Sequence, residues 1–183
     1  EGGGKVVGYL CSMVPEELII AAGLLPFRMR ATGSTSTDLA DVYFTNLNCT
    51  FARHCFSLAL EGGYGFLDGL VCINSCDHLR RLYDNWRRHV ATPFVEFLTL
   101  PHQTGPDQIA WYAEEIGRLR ARLEEHFGVR IGDDDLRDAI KLANETRRLQ
   151  RRLYELRKRP HPPITGVEAL AVMVAGTAMP KKE

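Results

Sequence analysis

The five cysteines of the chain are the residues whose type and spacing could support metal or redox chemistry. All of them lie in the first half of the sequence: Cys11, Cys49, Cys55, Cys72 and Cys76. Thiolates bind zinc and the iron of iron–sulfur clusters. The spacing matches neither the tight cysteine run of ferredoxins nor the paired Cys-x-x-Cys of a structural zinc site, so spacing alone is a weak signal.

Cys49 and Cys76 form the most informative pair, because both fall at predicted helix N-termini that follow a loop. Free backbone amides and the helix dipole favour anionic ligands at such positions. In a doubly wound sheet, helix N-termini and the carboxyl ends of strands line the same crevice, so two thiolates far apart in sequence could meet there. The pair is therefore a candidate ligand set for one metal centre.

The other cysteines are weaker candidates. Cys72 lies in an apolar strand segment and Cys55 on the apolar face of a helix, so both are expected in the core. Cys11 precedes a helix and could either approach the same crevice or pack at its loop. A zinc site formed by Cys72, Cys76 and a histidine such as His78 stays open as an alternative, although a cysteine on a strand and one past its end would need awkward geometry.

Alternating strand and helix patterns would position these cysteines. Apolar runs predict strands at residues 25–30, 67–73 and 94–100, and residues 5–10 form a strand or a lead-in. Helices are predicted from Pro15 to Gly23, from an N-cap at Asn48 to Gly62-Gly63, and from Cys76 to about His89, with a polar loop at residues 34–37. The alternation predicts an α/β fold with a doubly wound, mainly parallel sheet flanked by helices.

The second part of the chain is densely charged and has helical periodicity. Two long amphipathic helices are predicted, over residues 109–123 and 136–156. Thr165 and Glu168 have the form of a capping box, which predicts that residues 169–175 follow as a buried helix. We therefore expect a cysteine-bearing α/β core at residues 1–106 and a helical extension at residues 107–183.

Composition restricts the class of partner. The chain has 183 residues, of which 45% are hydrophobic and 25% charged, and its formal net charge is zero. Without a basic block, nothing favours nucleic acid or an anionic membrane surface. No apolar run is long enough to cross a bilayer, and the first residues lack the features of a signal peptide. We expect a cytoplasmic protein, in whose reducing compartment the cysteines are poor disulfide candidates.

Several segments together resemble one known family. They are residues 8–19 (GYLCSMVPEELI), 48–53 (NCTFAR), 67–81 (LDGLVCINSCDHLRR), 98–102 (LTLPH) and 136–147, which ends in Asn-Glu-Thr-Arg. The chain resembles the N-terminal half of proteins of the 2-hydroxyacyl-CoA dehydratase and benzoyl-CoA reductase family, which includes the D-component of 2-hydroxyglutaryl-CoA dehydratase. The segment around Cys76 in its strand-loop-helix setting is the most specific part of the likeness.

The resemblance implies a [4Fe-4S] cluster held by three cysteines of one polypeptide, two of which would be Cys49 and Cys76. We expect the third in a second α/β domain that this sequence does not contain. The resemblance also implies a catalytic subunit of an anaerobic heterodimer. It would receive single low-potential electrons from a separate ATP-hydrolysing iron–sulfur activator and pass them to an acyl-CoA thioester by radical chemistry.

The resemblance leaves the reaction undecided between reduction of benzoyl-CoA and dehydration of a 2-hydroxyacyl-CoA, with a paralogous partner subunit expected in both cases. By itself the 183-residue chain is expected to be inactive. Two alternatives remain open: an accessory iron–sulfur electron-transfer protein of the same fold without acyl-CoA chemistry, and an interaction domain whose cysteines are simply packed. Arg80, Arg81, Arg87 and Arg88 could pair with a CoA phosphate, but a solvated helix face explains them more simply.

Overall fold

The structure is a computed structural model that describes residues 4–181. The strands within these residues are β1 (Val6–Tyr9), β2 (Leu25–Arg28), β3 (Gly69–Ile73) and β4 (Phe94–Leu98). The helices are α1 (Glu16–Ala21), α2 (Asp38–Asp41), α3 (Thr50–Leu60), α4 (Asp77–His89), α5 (Pro106–Phe127), α6 (Asp133–Arg157) and α7 (Gly166–Ala178).

The four strands form one parallel sheet in the order β2-β1-β3-β4. All five residues of β3 are buried, as expected for a strand with neighbours on both sides and helices over the sheet. This architecture confirms the predicted α/β fold with a parallel sheet flanked by helices and followed by long helices.

The order of the strands creates a switch point between β1 and β3. From β1 the chain moves outward to β2, and it then crosses back to place β3 on the opposite side of β1. The loops that leave β1 and β3 therefore diverge in opposite directions at the carboxyl edge of the sheet. Ligands of open α/β sheets bind in the crevice that such a divergence leaves.

The core is closely packed around β3 and β4. Gly69 begins β3 opposite Phe94, and a Cβ atom at Gly69 would lie 2.9 Å from Cδ1 of Phe94. The position thus has room only for glycine unless the ring moves. Trp86 of α4 is fully buried, and its indole N–H donates a hydrogen bond of 2.8 Å to Oγ1 of Thr92 just before β4. The packing and the hydrogen bond fix α4 against the sheet.

The long helices pack on the same core. Leu119 and Leu123 of α5 are fully buried in it. Helix α6 lies against α1, where the guanidinium of Arg147 binds the carboxylate of Glu17 at 2.5 Å. The division at residue 106 and the second α/β domain stay predictions. Among residues 4–181, no helix combines the length and the apolar character that crossing a bilayer requires.

The prediction that the helix after Thr165 is buried is wrong for α7. Its capping box is present, since the N–H of Glu168 donates to the hydroxyl of Thr165 and the N–H of Thr165 donates to the Glu168 carboxylate. The helix is not buried, however: Ala169 is its buried residue, whereas Val167 is 79% exposed and Leu170 64% exposed. The physical reason is that α7 contacts α6 and β2 along one side, and no described residue packs on the rest of its apolar surface.

Two smaller differences concern the region before Cys49. The short helix α2 follows the polar loop and has no apolar periodicity long enough to predict it. Helix α3 takes Cys49 as its N-cap instead of Asn48, a shift of one residue. The predicted end of α3 is confirmed, because Gly62 adopts a positive φ of 82° just beyond it.

Candidate functional site at the carboxyl edge of the sheet

The candidate site lies where the loops after β1 and β3 and the N-termini of α3 and α4 meet the carboxyl edge of the sheet. Cys76 follows β3 by three residues and is the N-cap of α4. Cys49 is the N-cap of α3. Both predicted ligands therefore occupy the junction between a loop and a helix, where unpaired backbone N–H groups favour an anion.

A hydrogen bond joins the two helix N-termini. The backbone N–H of Cys49 donates to Nδ1 of His78 at 3.4 Å, and His78 is in the first turn of α4, two residues after Cys76. For Nδ1 to accept this bond, the ring must carry no proton on that nitrogen. The structure thus brings the surroundings of Cys49 and Cys76 together, although the two residues are 27 positions apart in sequence.

Both thiols can be reached from outside. Cys76 is exposed and Cys49 is half-buried, and neither side chain caps its own helix through a hydrogen bond. Both thiols are therefore accessible to a ligand from solvent. A [4Fe-4S] cluster usually takes four ligands, so two cysteines alone would not complete its ligand set. Within residues 4–181, no group of three or more His, Cys, Asp or Glu side chains is placed to hold a metal ion.

The alternative zinc site receives no support from the structure. Cys72 is fully buried inside β3, whereas Cys76 is exposed beyond the end of that strand. Cys72 and Cys55 are core residues, as predicted. Burial raises the pKa of the Cys55 thiol to about 12, and the same cause raises the pKa of Cys72. Both are therefore neutral thiols at ordinary pH.

Cys11 lies at the same edge of the sheet, in the loop after β1. It is half-buried, and its carbonyl accepts a hydrogen bond from the N–H of Val14 at 3.1 Å. The hydroxyl of Tyr112 on α5 donates to the carbonyl of Met13 at 3.0 Å. Burial raises the pKa of Tyr112, and the nearby Glu17 and Cys11 add to the effect. Cys11 is thus near the site and beside a phenol that stays protonated.

A cavity of about 470 Å³ opens beside Cys76, between the loops after β1, β3 and β4 and the first turns of α5. Ser75, the residue before Cys76, forms part of its wall. Its other walls include Met13, Leu100, His102, Ile109 and Tyr112. Among the described residues that line it, none is lysine, arginine, aspartate or glutamate. The cavity therefore suits an uncharged, largely apolar group.

Asn74 is a functional candidate that the sequence showed only as part of a turn. It is 3% exposed, and its amide is hydrogen-bonded to both backbone groups of Leu100 in the loop after β4. Oδ1 accepts from the Leu100 N–H at 2.6 Å, and Nδ2 donates to the Leu100 carbonyl at 3.1 Å. Asn74 thereby fixes the wall of the cavity relative to the loop that carries Cys76. In the sequence, the signal that could have identified Asn74 was its position directly after a buried strand.

The chain is similar to known proteins over nearly its whole length. The family model for the 2-hydroxyglutaryl-CoA dehydratase D-component matches residues 11–183. A benzoyl-CoA reductase subunit of Thauera aromatica is 31% identical over 182 residues, which cover 98% of this chain and 47% of that protein. The (R)-2-hydroxyglutaryl-CoA dehydratase subunit beta of Acidaminococcus fermentans is 29% identical over 94% of this chain and 46% of its own length.

A third relative, the (R)-phenyllactyl-CoA dehydratase beta subunit of Clostridium sporogenes, is 28% identical over 99% of this chain and 48% of its own length. The chain thus spans about half the length of the curated relatives it matches. The family model covers all five cysteines and every helix described above. The chain therefore belongs to the 2-hydroxyglutaryl-CoA dehydratase D-component family.

Proposed function

We propose that this chain is part of an iron–sulfur enzyme subunit that acts on an acyl-CoA thioester, with Cys49 and Cys76 as ligands of a [4Fe-4S] cluster. The observation that carries the proposal is the side-by-side placement of two helix N-termini, each capped by a cysteine and joined through the Cys49 N–H and His78. Membership of a family of dehydratase and reductase subunits supports it.

The protein's own contribution is to hold two thiolates where free amides favour negative charge. When bound, the cluster would supply single electrons of low potential to the thioester. His78 positions the Cys49 backbone through its hydrogen bond. Asn74 holds the loop after β3, which carries Cys76, against the loop after β4. The third cluster ligand, a paralogous partner subunit and a separate ATP-hydrolysing activator are further parts of this proposal.

The uncharged cavity beside Cys76 is the proposed place of the acyl group. The described lining offers a carboxylate no lysine or arginine as a partner, and a carboxylate that loses water without such a partner is disfavoured. An aromatic or aliphatic acyl group needs no such partner and gains from contact with Met13, Leu100 and Ile109. We therefore favour an uncharged acyl group, as in benzoyl-CoA, over an acyl group that ends in a carboxylate.

The test of the cluster is iron and acid-labile sulfide per chain, with an EPR spectrum after reduction, on protein reconstituted without oxygen. Cys49→Ala and Cys76→Ala are expected to reduce iron uptake strongly. Cys55→Ala serves as the control, because it removes a thiol that is buried in the core. Circular dichroism of each variant separates loss of the cluster from loss of the fold.

Unchanged iron content in both Cys49→Ala and Cys76→Ala would refute the ligand assignment. If the 183-residue chain takes up no iron, the same measurement is made on a form extended to the full length of the relatives. Failure of both forms would leave the packed-cysteine alternative as the better explanation. For the acyl group, tighter binding of benzoyl-CoA than of glutaryl-CoA in isothermal titration calorimetry is expected.

A further inference from the structure

A second cavity, of about 170 Å³, lies at the same edge of the sheet on the other side of the loop after β1. Its floor is formed by Tyr9 and Arg28, the last residues of β1 and β2, and its roof by α6 and α7. A water molecule takes up about 30 Å³ in the liquid, so the cavity has room for a small ion with some of its water. It is separate from the cavity beside Cys76.

The charged residues that line this cavity are three cations, Arg28, Arg147 and Lys181, and one carboxylate, Glu16. Arg147 is paired with Glu17 at 2.5 Å, and Lys181 lies 3.7 Å from Glu16. Arg28 is half-buried and has no carboxylate or hydrogen-bond partner among residues 4–181. A cation that is partly withdrawn from water is costly unless an anion accompanies it.

Two further donors face the same space without a partner in the described part of the chain. They are the hydroxyl of Ser12, in the loop after β1, and the amide of Gln150 on α6. No buried side-chain nitrogen or oxygen within those residues lacks a partner, so these donors remain within reach of solvent or a ligand. Together with Arg28, they approach one cavity from three different elements.

We propose that this cavity binds a phosphate group. An arginine fork matches two oxygens of a phosphate, and a tetrahedral oxyanion has further oxygens for donors that come from other directions. The Tyr9 hydroxyl is already used in a 2.8 Å bond to Glu16, and burial raises its pKa, so it adds no negative charge. Arg28 is the principal ligand, and Ser12 and Gln150 contribute hydrogen bonds.

The phosphate could be free or could belong to a larger molecule such as CoA, and the two sources share the same binding chemistry. Binding of free phosphate does not depend on the cluster or on acyl-CoA chemistry, because no cysteine lines this cavity. Only the assignment of the phosphate to CoA rests on the proposed function. The two proposals can therefore fail independently.

Isothermal titration calorimetry of the 183-residue chain with inorganic phosphate, CoA and 3′-dephospho-CoA tests the site. We expect Arg28→Gln to weaken phosphate binding by about tenfold or more, since a charge-assisted hydrogen bond contributes at least that much. Ser12→Ala alters an exposed side chain, leaves the fold intact and is expected to weaken binding by a few-fold. Tighter binding of CoA than of 3′-dephospho-CoA would identify the 3′-phosphate as the ligand.

Arg30→Gln is the matched control, because it removes the same charge two residues further along. The guanidinium of Arg30 donates to the carbonyl of Val174 and does not line the cavity. Its phosphate affinity should stay within about twofold of the unmodified chain. Equal losses in Arg28→Gln and Arg30→Gln would show general electrostatic attraction and overturn the proposal. So would an affinity that Arg28→Gln leaves unchanged, or no phosphate binding by the unmodified chain.

Discussion

Asn74 is the buried polar side chain on which the geometry of the candidate site depends most directly. Its amide makes two hydrogen bonds to the backbone of Leu100, with the acceptor bond at 2.6 Å and the donor bond at 3.1 Å. These bonds join the loop after β3, which carries Cys76, to the loop after β4, which forms a wall of the cavity beside Cys76. The substitution Asn74→Ala removes both bonds and leaves the overall charge unchanged.

The expected cost follows from these two bonds. A hydrogen bond contributes about 1 kcal/mol net, and a buried backbone group left without a partner costs about 1–3 kcal/mol. Leu100 is half-buried, so water can replace part of the lost bonding and limits the penalty. We therefore expect Asn74→Ala to lower the free energy of unfolding by about 2–4 kcal/mol.

Urea unfolding followed by circular dichroism measures this change. The control is Asn48→Ala, which removes hydrogen bonds to Thr45 at an exposed turn and should change the free energy by about 0.5 kcal/mol or less. A loss below about 1 kcal/mol for Asn74→Ala would refute the reasoning, because it would mean that the two loops hold their positions without the Asn74 amide.

Three further measurements test other parts of the structure. Gly69→Ala would place a Cβ 2.9 Å from Cδ1 of Phe94 and should cost about 1–3 kcal/mol of unfolding free energy, whereas Gly117→Ala, in open space on α5, should cost nothing. Burial raises the pKa of Cys55 from 9.0 to about 12, so above pH 9 the thiol ionises in the unfolded chain before it ionises in the folded one. Its contribution to stability is therefore complete only below pH 9. The unfolding free energy of the chain should fall as pH rises from 9 towards 12, and a flat profile in urea titrations would contradict this. A reconstituted cluster should lose its visible absorption in air, and persistence for hours would argue against an accessible cluster at Cys76.

The elements could be predicted from the sequence because their signals are local. The apolar run at residues 67–73 predicted β3, and the structure has the strand at Gly69–Ile73. The turn at Asn74-Ser75 predicted that Cys76 opens a helix, and Cys76 is the N-cap of α4. Glycine after an apolar helix predicted the end of α3 at Gly62, where φ is positive. Apolar periodicity and turn chemistry are sufficient for such assignments.

The contacts between elements could not be predicted in this way. His78 accepts a hydrogen bond from the Cys49 N–H across 29 residues, and no pattern near either residue specifies that bond. The exposure of α7 was also missed, because an apolar run predicts burial without identifying the surface that would cover it. Arg28 ends a strand that had only a structural role in the sequence analysis. That it lines a cavity with α6 and α7, without a partner among residues 4–181, is visible only in the folded chain.

The loop after β1 separates two cavities of opposite chemical character. Met13 lines the cavity beside Cys76. Its neighbours in sequence, Ser12 and Val14, line the second cavity together with Arg28. Benzoyl-CoA likewise has an uncharged acyl end and an anionic phosphate end. If the bound phosphate is that of CoA and the acyl group occupies the cavity beside Cys76, Arg28→Gln should lower the affinity for CoA itself. Discrimination between benzoyl and glutaryl thioesters should remain, because it depends on the cavity beside Cys76 alone. Substitutions on one side of the loop after β1 should therefore change phosphate affinity, and substitutions on the other side should change the preference for the acyl group.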